Sequence, residues 1–374
     1  MRVLGIDLGT TNTVGAIAGE SVSLLSEQDS AILPSVVAFP PNGKRVVGTP
    51  ARHRRAIDAR NTIFSAKRLV GRSFSSTVCS DFRERYAFEL IETHTGGRIA
   101  FKTRAGEITP HQVGSFVLEA LVAEVPDRTA ELHAVVAVPT GYDDDARELT
   151  RSAALEVGFG GVDLISEPVA AALAYGTLDD PALRRAAIYD LGGGTFELAV
   201  LDCATRPYTV LATCGDMYLG GDDIDQSIAH WAADQVLASH RWDLRDNALV
   251  FDRLVLECER AKIRLCYASH TTIDLNYVDP AIPAGDNTLT IGQERLQELA
   301  DRIVGRSFMV CDEALATARV KAQEVDAVFL AGGTTQLPMV RRAISQYFDS
   351  QPRGELDPME VIAIGASFWS GSAS

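Results

Sequence analysis

Two aspartates begin nearly the same short phrase, one close to the start of the chain and one at its middle. Asp7 begins Asp-Leu-Gly-Thr-Thr, and Asp190 begins Asp-Leu-Gly-Gly-Gly-Thr. Each phrase lies between two β-prone runs, which predicts two strands joined by a glycine turn. In such a turn, backbone N–H groups can approach an anion because glycine has no Cβ, threonine hydroxyls add donors, and a carboxylate can hold water on a divalent cation. A single glycine turn more often only connects strands, but two matched copies predict that one polyphosphate is held from both sides.

The elements that must carry these turns alternate between strand-like and helix-like patterns in both halves. This order predicts an α/β fold with layered sheets and helices. The predicted strands are residues 3–8, 14–18, 134–138, 187–191, 196–201 and 327–330. The predicted helices are residues 113–125, 143–157, 220–237, 249–265 and 361–369, and more than one helix is predicted within residues 294–319. In addition, residues 50–72 are predicted to form a basic, helical stretch, and a polar insert with strands near 86–90 and 98–103 is predicted to follow.

Length and repetition both predict two lobes with a cleft between them. At 374 residues the chain exceeds the usual size of one hydrophobic core. We predict lobe I over residues 1–179 and lobe II over residues 180–374, each built of a core and a small inserted subdomain. The predicted cores are 1–36 with 107–179 in lobe I and 180–219 with 297–374 in lobe II, and the predicted inserts are 37–106 and 220–296.

Composition excludes several classes of function. The formal charge of −15 and the pI near 4.9 oppose nonspecific binding to nucleic acid or to anionic membranes. The sequence shows neither a leader segment nor an apolar run long enough to span a bilayer, so we expect a cytoplasmic protein. The six cysteines include no C-x-x-C pair and the seven histidines lack ligand spacing. Neither a zinc site nor a disulfide framework is therefore predicted.

Several longer stretches carry a family resemblance in a consistent order. They include GIDLGTTNT at residue 5, NTIFSAKRLVGRSF at 61, AVVAVP at 134, ISEPVAAALAYG at 165, YDLGGGTFELAVL at 189, CGDMYLGGDDID at 214, LECERAKIRL at 256 and AGGTTQLP at 331. Together they resemble the nucleotide-binding domain of the 70-kilodalton heat-shock chaperones of the DnaK type. That domain belongs to the actin and hexokinase superfamily. The resemblance covers nearly the whole chain and implies an actin-like ATPase fold, with a mixed β-sheet flanked by helices in each lobe.

The resemblance also implies roles for individual residues. Asp7 and Asp190 would hold Mg²⁺ through water, Lys67 would be the catalytic lysine, Glu167 would position the attacking water, and Thr195 would lie near the γ-phosphate. Taken alone, a lysine in a basic helix is usually solvated, and an acid at a helix start is usually only a favourable helix-end charge. The residues implied to contact the nucleotide are Gly9, Thr10, Thr11, Asn12, Gly192, Gly193, Gly194, Gly220, Gly221, Glu259, Lys262, Cys266, Gly332, Gly333, Gln336 and Gly365.

Four positions depart from the family pattern. Ile263 and Gln336 stand where the family commonly clamps adenine between two arginines, and Cys266 stands where it has a serine. Each lost cation–π contact is worth about 0.5–2 kcal/mol, so we predict weak discrimination between bases. On the phosphate side, Glu197 replaces an aspartate. Its additional methylene moves the carboxylate by about one ångström, enough to alter a water shell around the cations.

The function implied by the resemblance is a slow ATP-hydrolysing nucleotide switch of a DnaK-like chaperone. It would use ATP or ADP and Mg²⁺, with K⁺ as a further cation, and its partners would be co-chaperones or a nucleotide-exchange factor. After Trp369 the sequence shows no apolar linker or substrate-binding region, so we expect that region to be absent from this chain. Two alternatives stay open: a nucleotide-sensing module with little turnover, and a small-molecule kinase of the same superfamily.

Overall fold

The computed structural model describes residues 2–19, 22–25, 30–86, 88–94, 96–126, 132–176, 180, 182–204, 208–283 and 287–369. Its strands are β1 (Arg2–Leu8), β2 (Asn12–Ile17), β3 (Ser23–Leu24), β4 (Leu33–Pro34), β5 (Val37–Ala38), β6 (Val46–Val47), β7 (Thr62–Ile63), β8 (Leu90–Glu92), β9 (Ile99–Thr103), β10 (Gly106–Ile108), β11 (Leu132–Val138), β12 (Gly161–Ser166), β13 (Arg185–Leu191), β14 (Phe196–Asp202), β15 (Thr209–Asp216), β16 (His270–Asp274), β17 (Thr288–Gly292) and β18 (Ala327–Ala331).

The helices are α1 (Thr49–Arg55), α2 (Thr77–Arg85), α3 (Pro110–Ala123), α4 (Asp144–Val157), α5 (Glu167–Gly176), α6 (Gly221–His240), α7 (Ala248–Arg264), α8 (Leu275–Val278), α9 (Gln293–Ala318), α10 (Pro338–Phe348) and α11 (Val361–Ser367). Short 3₁₀ turns occupy Ala59–Asn61, Ala66–Leu69, Leu244–Asp246, Ala322–Glu324 and Gly333–Gln336. Within the described residues, no helix is both long and apolar enough to cross a membrane.

Two large mixed sheets repeat one topology. In the first, the strand order is β12-β11-β1-β2-β3, with β4 also paired to β2, and in the second it is β15-β14-β13-β18. The hairpins β1–β2 and β13–β14 are antiparallel, and the first strand of each hairpin pairs in parallel with a later strand, β11 or β18. Asp7 and Asp190 therefore occupy equivalent places, each one residue before the end of the first hairpin strand. The repetition in the sequence is thus a repetition in the fold.

The central strands are buried on both faces, as expected for parallel strands covered by helices. Alternate residues of β11 face opposite sides: Ala134 and Val136 pack into one hydrophobic cluster, and Val135 and Ala137 pack into another. The second cluster also contains Ile188 of β13 and most of the buried face of α5 and α11. Helices α5 and α11 consequently lie between the two large sheets, and α11 packs against α5, β1 and β2.

The α/β prediction is confirmed, and most predicted elements appear within a few residues of their expected bounds. The single helix predicted over 50–72 is wrong: α1 ends at Arg55, and the chain then forms two 3₁₀ turns around β7. The strand predicted near 86–90 begins only at Leu90. The division into lobes stays a prediction, since 177–179 and 181 at its boundary lie outside the described residues, as do 370–374 at the end of the sequence.

Candidate functional site

A cavity of about 290 Å³ lies where the two glycine turns face each other. Its walls contain the predicted residues Asp7, Gly9, Thr10, Thr11, Asn12, Lys67, Glu167, Asp190, Gly192, Gly193, Thr195, Gly332 and Gly333, together with Glu197. Residues separated by more than 300 positions in the sequence thus meet around one space. The predicted phosphate-side residues converge as the paired turns suggested, with Gly194 as the exception.

Glycine is required where the two turns touch. A Cβ on Gly9 would lie 2.1 Å from the carbonyl oxygen of Asn12, and a Cβ on Gly193 would lie 2.3 Å from Thr11 Oγ1. Both distances are far below van der Waals contact, so a larger residue at Gly9 would distort the first turn, and a larger residue at Gly193 would push the two turns apart. Thr11 Oγ1 and Asn12 Oδ1 are buried and lack a hydrogen-bond partner in the described part of the chain. Buried polar atoms without partners are costly, and here they border a space of the size of a phosphate chain.

A buried lysine–glutamate pair forms one side of the cavity. Lys67 Nζ lies 2.6 Å from Glu167 Oε1, and both side chains are nearly buried. Lys67 sits on the 3₁₀ turn Ala66–Leu69, whose carbonyl at Lys67 accepts a hydrogen bond from Tyr142 Oη at 3.1 Å. Burial alone lowers the pKa of Lys67, but attraction by Glu167, Tyr142 and Asp7 together outweighs burial and raises it. The ammonium group therefore remains charged.

Carboxylates outnumber cations in this cavity. Burial, partly offset by Lys67 and reinforced by Glu167, raises the pKa of Asp7 to about 7. Burial and the neighbouring charges of Glu167 and Asp7 raise the pKa of Asp190 well above its usual range. Burial and repulsion by Glu167 also raise the pKa of Glu197 to about 7. Lys67 and Arg72 line the cavity together with four carboxylates, and this excess of acidic groups is the electrostatic condition of a cation site.

The carboxylate set fits Mg²⁺ bound through water. Mg²⁺ prefers oxygen ligands and retains several waters when one or two carboxylates hold it beside a phosphate. Among the described residues, no three acidic, histidine or cysteine side chains converge closely enough to coordinate a metal ion directly. Asp7 and Asp190 end equivalent strands and face the same space, so they are the pair that could hold such a hydrated ion.

Most of the predicted nucleoside-side residues, and Gly194 of the second turn, lie outside the cavity lining, whereas Gly332 and Gly333 belong to it. Those outside the lining are Gly194, Gly220, Gly221, Glu259, Lys262, Cys266 and Gln336. Gly220 packs against the second turn, because its Cβ would lie 2.5 Å from the carbonyl oxygen of Gly193. Lys262 Nζ donates to Gly221 O at 2.9 Å and to Asp225 Oδ2 at 2.7 Å. The side chain of Lys262 is therefore held in place by Gly221 and Asp225.

Two of the residues that the resemblance places at the nucleotide make other contacts in this structure. Glu259 Oε1 forms an ion pair with Arg52 Nη2 at 2.5 Å, and so it points toward the segment that contains α1. Gly365 does not line the cavity: its position in α11 faces the backbone of α5, where a Cβ would lie 1.7 Å from Ala170 O. Gly365 thus packs closely against α5, and its contact with the nucleotide stays a prediction.

The sequence analysis missed a fully buried arginine. Arg68 Nη2 donates to Gly194 O at 2.5 Å, and Arg68 Nη1 donates to Tyr86 Oη at 3.0 Å. Its guanidinium also lies 3.6 Å from a carboxylate oxygen of Asp222. Arg68 therefore connects residues 37–106 to the second glycine turn and to α6. The only sequence signal was a second cation directly after Lys67.

Three ion pairs connect two parts of the chain that lie far apart in the sequence. Arg55 makes a bidentate contact with Asp252, with the shortest N···O distance at 2.7 Å. Arg85 Nη1 lies 2.9 Å from Asp223 Oδ1. Together with the Arg52–Glu259 pair, these contacts join the segment 37–106 to the segment 220–296. Opposite charges thus join the two predicted inserts.

Comparison with known proteins agrees with the sequence motifs. Residues 3–373 match the sequence model of the Hsp70 protein family. The chain is 35% identical over 378 residues to the chaperone protein dnaK3 of Thermosynechococcus vestitus, in an alignment that covers 99% of this chain and 55% of the relative. The chain thus spans about half the length of this curated relative. The family match confirms the predicted actin-like ATPase fold.

Proposed function

We propose that this chain, which belongs to the Hsp70 family, is a slow Mg²⁺-dependent ATPase that acts as the nucleotide switch of a DnaK-like chaperone. One observation carries the proposal: a buried Lys67–Glu167 pair lines the same phosphate-sized cavity as Asp7 and Asp190. Such a set can neutralise a transferring phosphoryl group from one side and hold a hydrated cation on the other. The unpartnered hydroxyl of Thr11 supports phosphate binding at the same place.

Each group of residues in the cavity would have its own role in ATP hydrolysis. Thr10, Thr11 and the two glycine turns would bind and orient the phosphates, with Thr195 at the γ-phosphate end. Lys67 would stabilise the charge that moves during transfer, and Glu167, held by Lys67, would position the attacking water as its hydrogen-bond acceptor. When bound beside Asp7 and Asp190, Mg²⁺ supplies charge neutralisation of the phosphate oxygens.

The nucleoside side and the partners belong to the same proposal. Gly220, Gly221, Glu259, Lys262, Cys266, Gly332, Gly333 and Gln336 would surround the ribose and base. The excess of carboxylates would also accommodate K⁺ as a second cation. A switch must be read and reset, so we propose co-chaperones or a nucleotide-exchange factor as protein partners.

Single-turnover hydrolysis of radiolabelled ATP tests this proposal. We expect ADP and phosphate to form slowly with Mg²⁺, and no product when the metal is chelated, because the carboxylates then repel the triphosphate. Added sugars should not change the rate or the product. Binding of ATP without hydrolysis would favour the nucleotide-sensing module, and transfer of the label to a sugar would favour the kinase.

Glu197 should tune the rate of hydrolysis. It lies opposite Asp190 in the β13–β14 hairpin and accepts hydrogen bonds from Thr140, in the loop that follows β11. We expect Glu197→Asp to raise the single-turnover rate several-fold, because a shorter side chain leaves more room for the cation waters. Glu197→Gln should lower the rate, because it removes charge that holds them.

The two Glu197 variants also discriminate between functions. If both hydrolyse ATP at the parent rate, Glu197 lies outside the working site. If hydrolysis is detectable only in Glu197→Asp, the parent chain is a nucleotide-sensing module rather than an ATPase.

A further inference from the structure

Two large apolar side chains are exposed at the C-terminal end of α7. Tyr267 is 81% exposed and Ile263 is 48% exposed. The backbone N–H of Tyr267 donates to Arg264 O at 3.1 Å, so the chain continues to turn beyond the last residue of the helix. Both side chains therefore expose apolar surface within about one turn of each other, a feature that often marks a binding site.

The tyrosine is held at its hydroxyl end. Tyr267 Oη donates to Gln336 Oε1 at 3.2 Å, and Gln336 Nε2 donates in turn to Asp357 Oδ1 at 3.1 Å. These contacts connect the end of α7 to the 3₁₀ turn Gly333–Gln336. The hydrogen bonds restrict the ring, yet its large exposure leaves a face free for contact. An ordered aromatic ring loses little conformational entropy when a flat ligand stacks on it.

The same two segments lead back to the phosphate cavity. Gly333, the first residue of the 3₁₀ turn, lines the cavity. A Cβ on Gly221 would lie 2.6 Å from Thr334 Oγ1 and 2.7 Å from Lys262 Nζ, so the turn and α7 converge at Gly221. They meet again at the Tyr267–Gln336 hydrogen bond. A nucleotide with its phosphates in the cavity and its nucleoside along these segments would bring its base to this tyrosine.

We infer that Tyr267 contacts the base of the bound nucleotide and gives the site a preference for purines over pyrimidines. The inference rests on the proposed nucleotide-binding function. Stacking on an aromatic ring favours the larger surface of a purine. It does not distinguish the hydrogen-bonding groups of adenine from those of guanine. Ile263 adds apolar contact, and neither Ile263 nor Gln336 carries a charge. Adenine and guanine should therefore bind with similar affinity.

Equilibrium binding of ATP, GTP, UTP and inorganic tripolyphosphate tests this role. In the parent chain we expect ATP and GTP to bind within about tenfold of each other and UTP to bind about tenfold more weakly. Tyr267→Ala should weaken ATP and GTP by about tenfold, abolish the purine preference and leave tripolyphosphate binding unchanged. Tyr267→Phe retains the ring and loses only the hydroxyl contact, so its affinities for ATP and GTP should lie between those of the parent chain and those of Tyr267→Ala.

Tyr277 provides the matched control. It is also an exposed tyrosine, but its ring lies on α8 beneath the Arg260 guanidinium. Tyr277→Ala should bind all four ligands as the parent does. Unchanged purine preference in Tyr267→Ala would overturn the inference while leaving the ATPase proposal intact. Failure of the parent chain to bind any nucleoside triphosphate would overturn both.

Discussion

Replacing Lys67 by alanine should slow single-turnover ATP hydrolysis by at least about a hundredfold, or about 2.7 kcal/mol, while ATP still binds. Lys67 is buried, charged and within 2.6 Å of Glu167. A point charge at this place stabilises a phosphoryl group more as it transfers than it does in bound ATP. The glycine turns and the threonine hydroxyls remain in the variant, so ground-state binding should persist.

The chain contains a matched lysine–glutamate pair for comparison. Lys102 Nζ and Glu89 Oε1 are also 2.6 Å apart, but both side chains are more than half exposed. Lys102→Ala should therefore hydrolyse ATP at the parent rate, since exposed pairs contribute little. Lys67→Met, which retains most of the side-chain volume, should be as slow as Lys67→Ala. An unchanged rate in Lys67→Ala would remove this lysine from the mechanism, and parallel loss of ATP binding would assign it to ground-state binding.

Features encoded by local pattern could be predicted from the sequence. The hairpins that end in Asp7 and Asp190 combine β-prone runs with glycine turns, and both signals lie within about twenty residues. Helices α4 and α7 show long amphipathic repeats, so their bounds were predicted within two residues. Residues 294–319, predicted to contain more than one helix, form the single helix α9. These local signals also placed most phosphate-side residues, because two equivalent turns must present equivalent groups.

Features determined by distant contacts could not be predicted in this way. Lys67 and Arg68 lie on a 3₁₀ turn that follows Ser65, which adopts a left-handed φ of 55°. Contacts with Tyr142 and Gly194 surround this turn, and both partners are more than 70 positions away. The Arg55–Asp252 pair joins residues 197 positions apart. Residues 50–72 therefore do not form one helix, because their conformation depends on contacts with residues far away in the sequence.

Gly365 shows how a residue can serve the site without touching it. Its helix, α11, packs against α5, whose first residue is Glu167, and against β1, which carries Asp7. The fit leaves no spare volume on either side: a Cβ on Gly5 of β1 would lie 2.2 Å from the backbone nitrogen of Ser367. A larger side chain in this part of α11 must therefore displace an element that carries Glu167 or Asp7, two carboxylates of the proposed site.

Gly365→Ala should accordingly destabilise the protein by about 3 kcal/mol, since overpacking a rigid contact commonly costs 1–3 kcal/mol or more. The new Cβ would meet Ala170 O at 1.7 Å and Ala174 N at 3.1 Å, and both are backbone atoms that cannot rotate away. Gly305→Ala is the control, because Gly305 lies within α9 and its Cβ would meet nothing within 4 Å. There the helix should gain about 0.5–1 kcal/mol from alanine.

In urea denaturation, the unfolding midpoint should thus fall in Gly365→Ala and rise in Gly305→Ala. Hydrolysis should fall only in Gly365→Ala, as Asp7 and Glu167 separate. If Gly365→Ala unfolds at the same urea concentration as Gly305→Ala, then α5 and α11 can move apart at little cost. Their close packing would then not hold Asp7 and Glu167 in place.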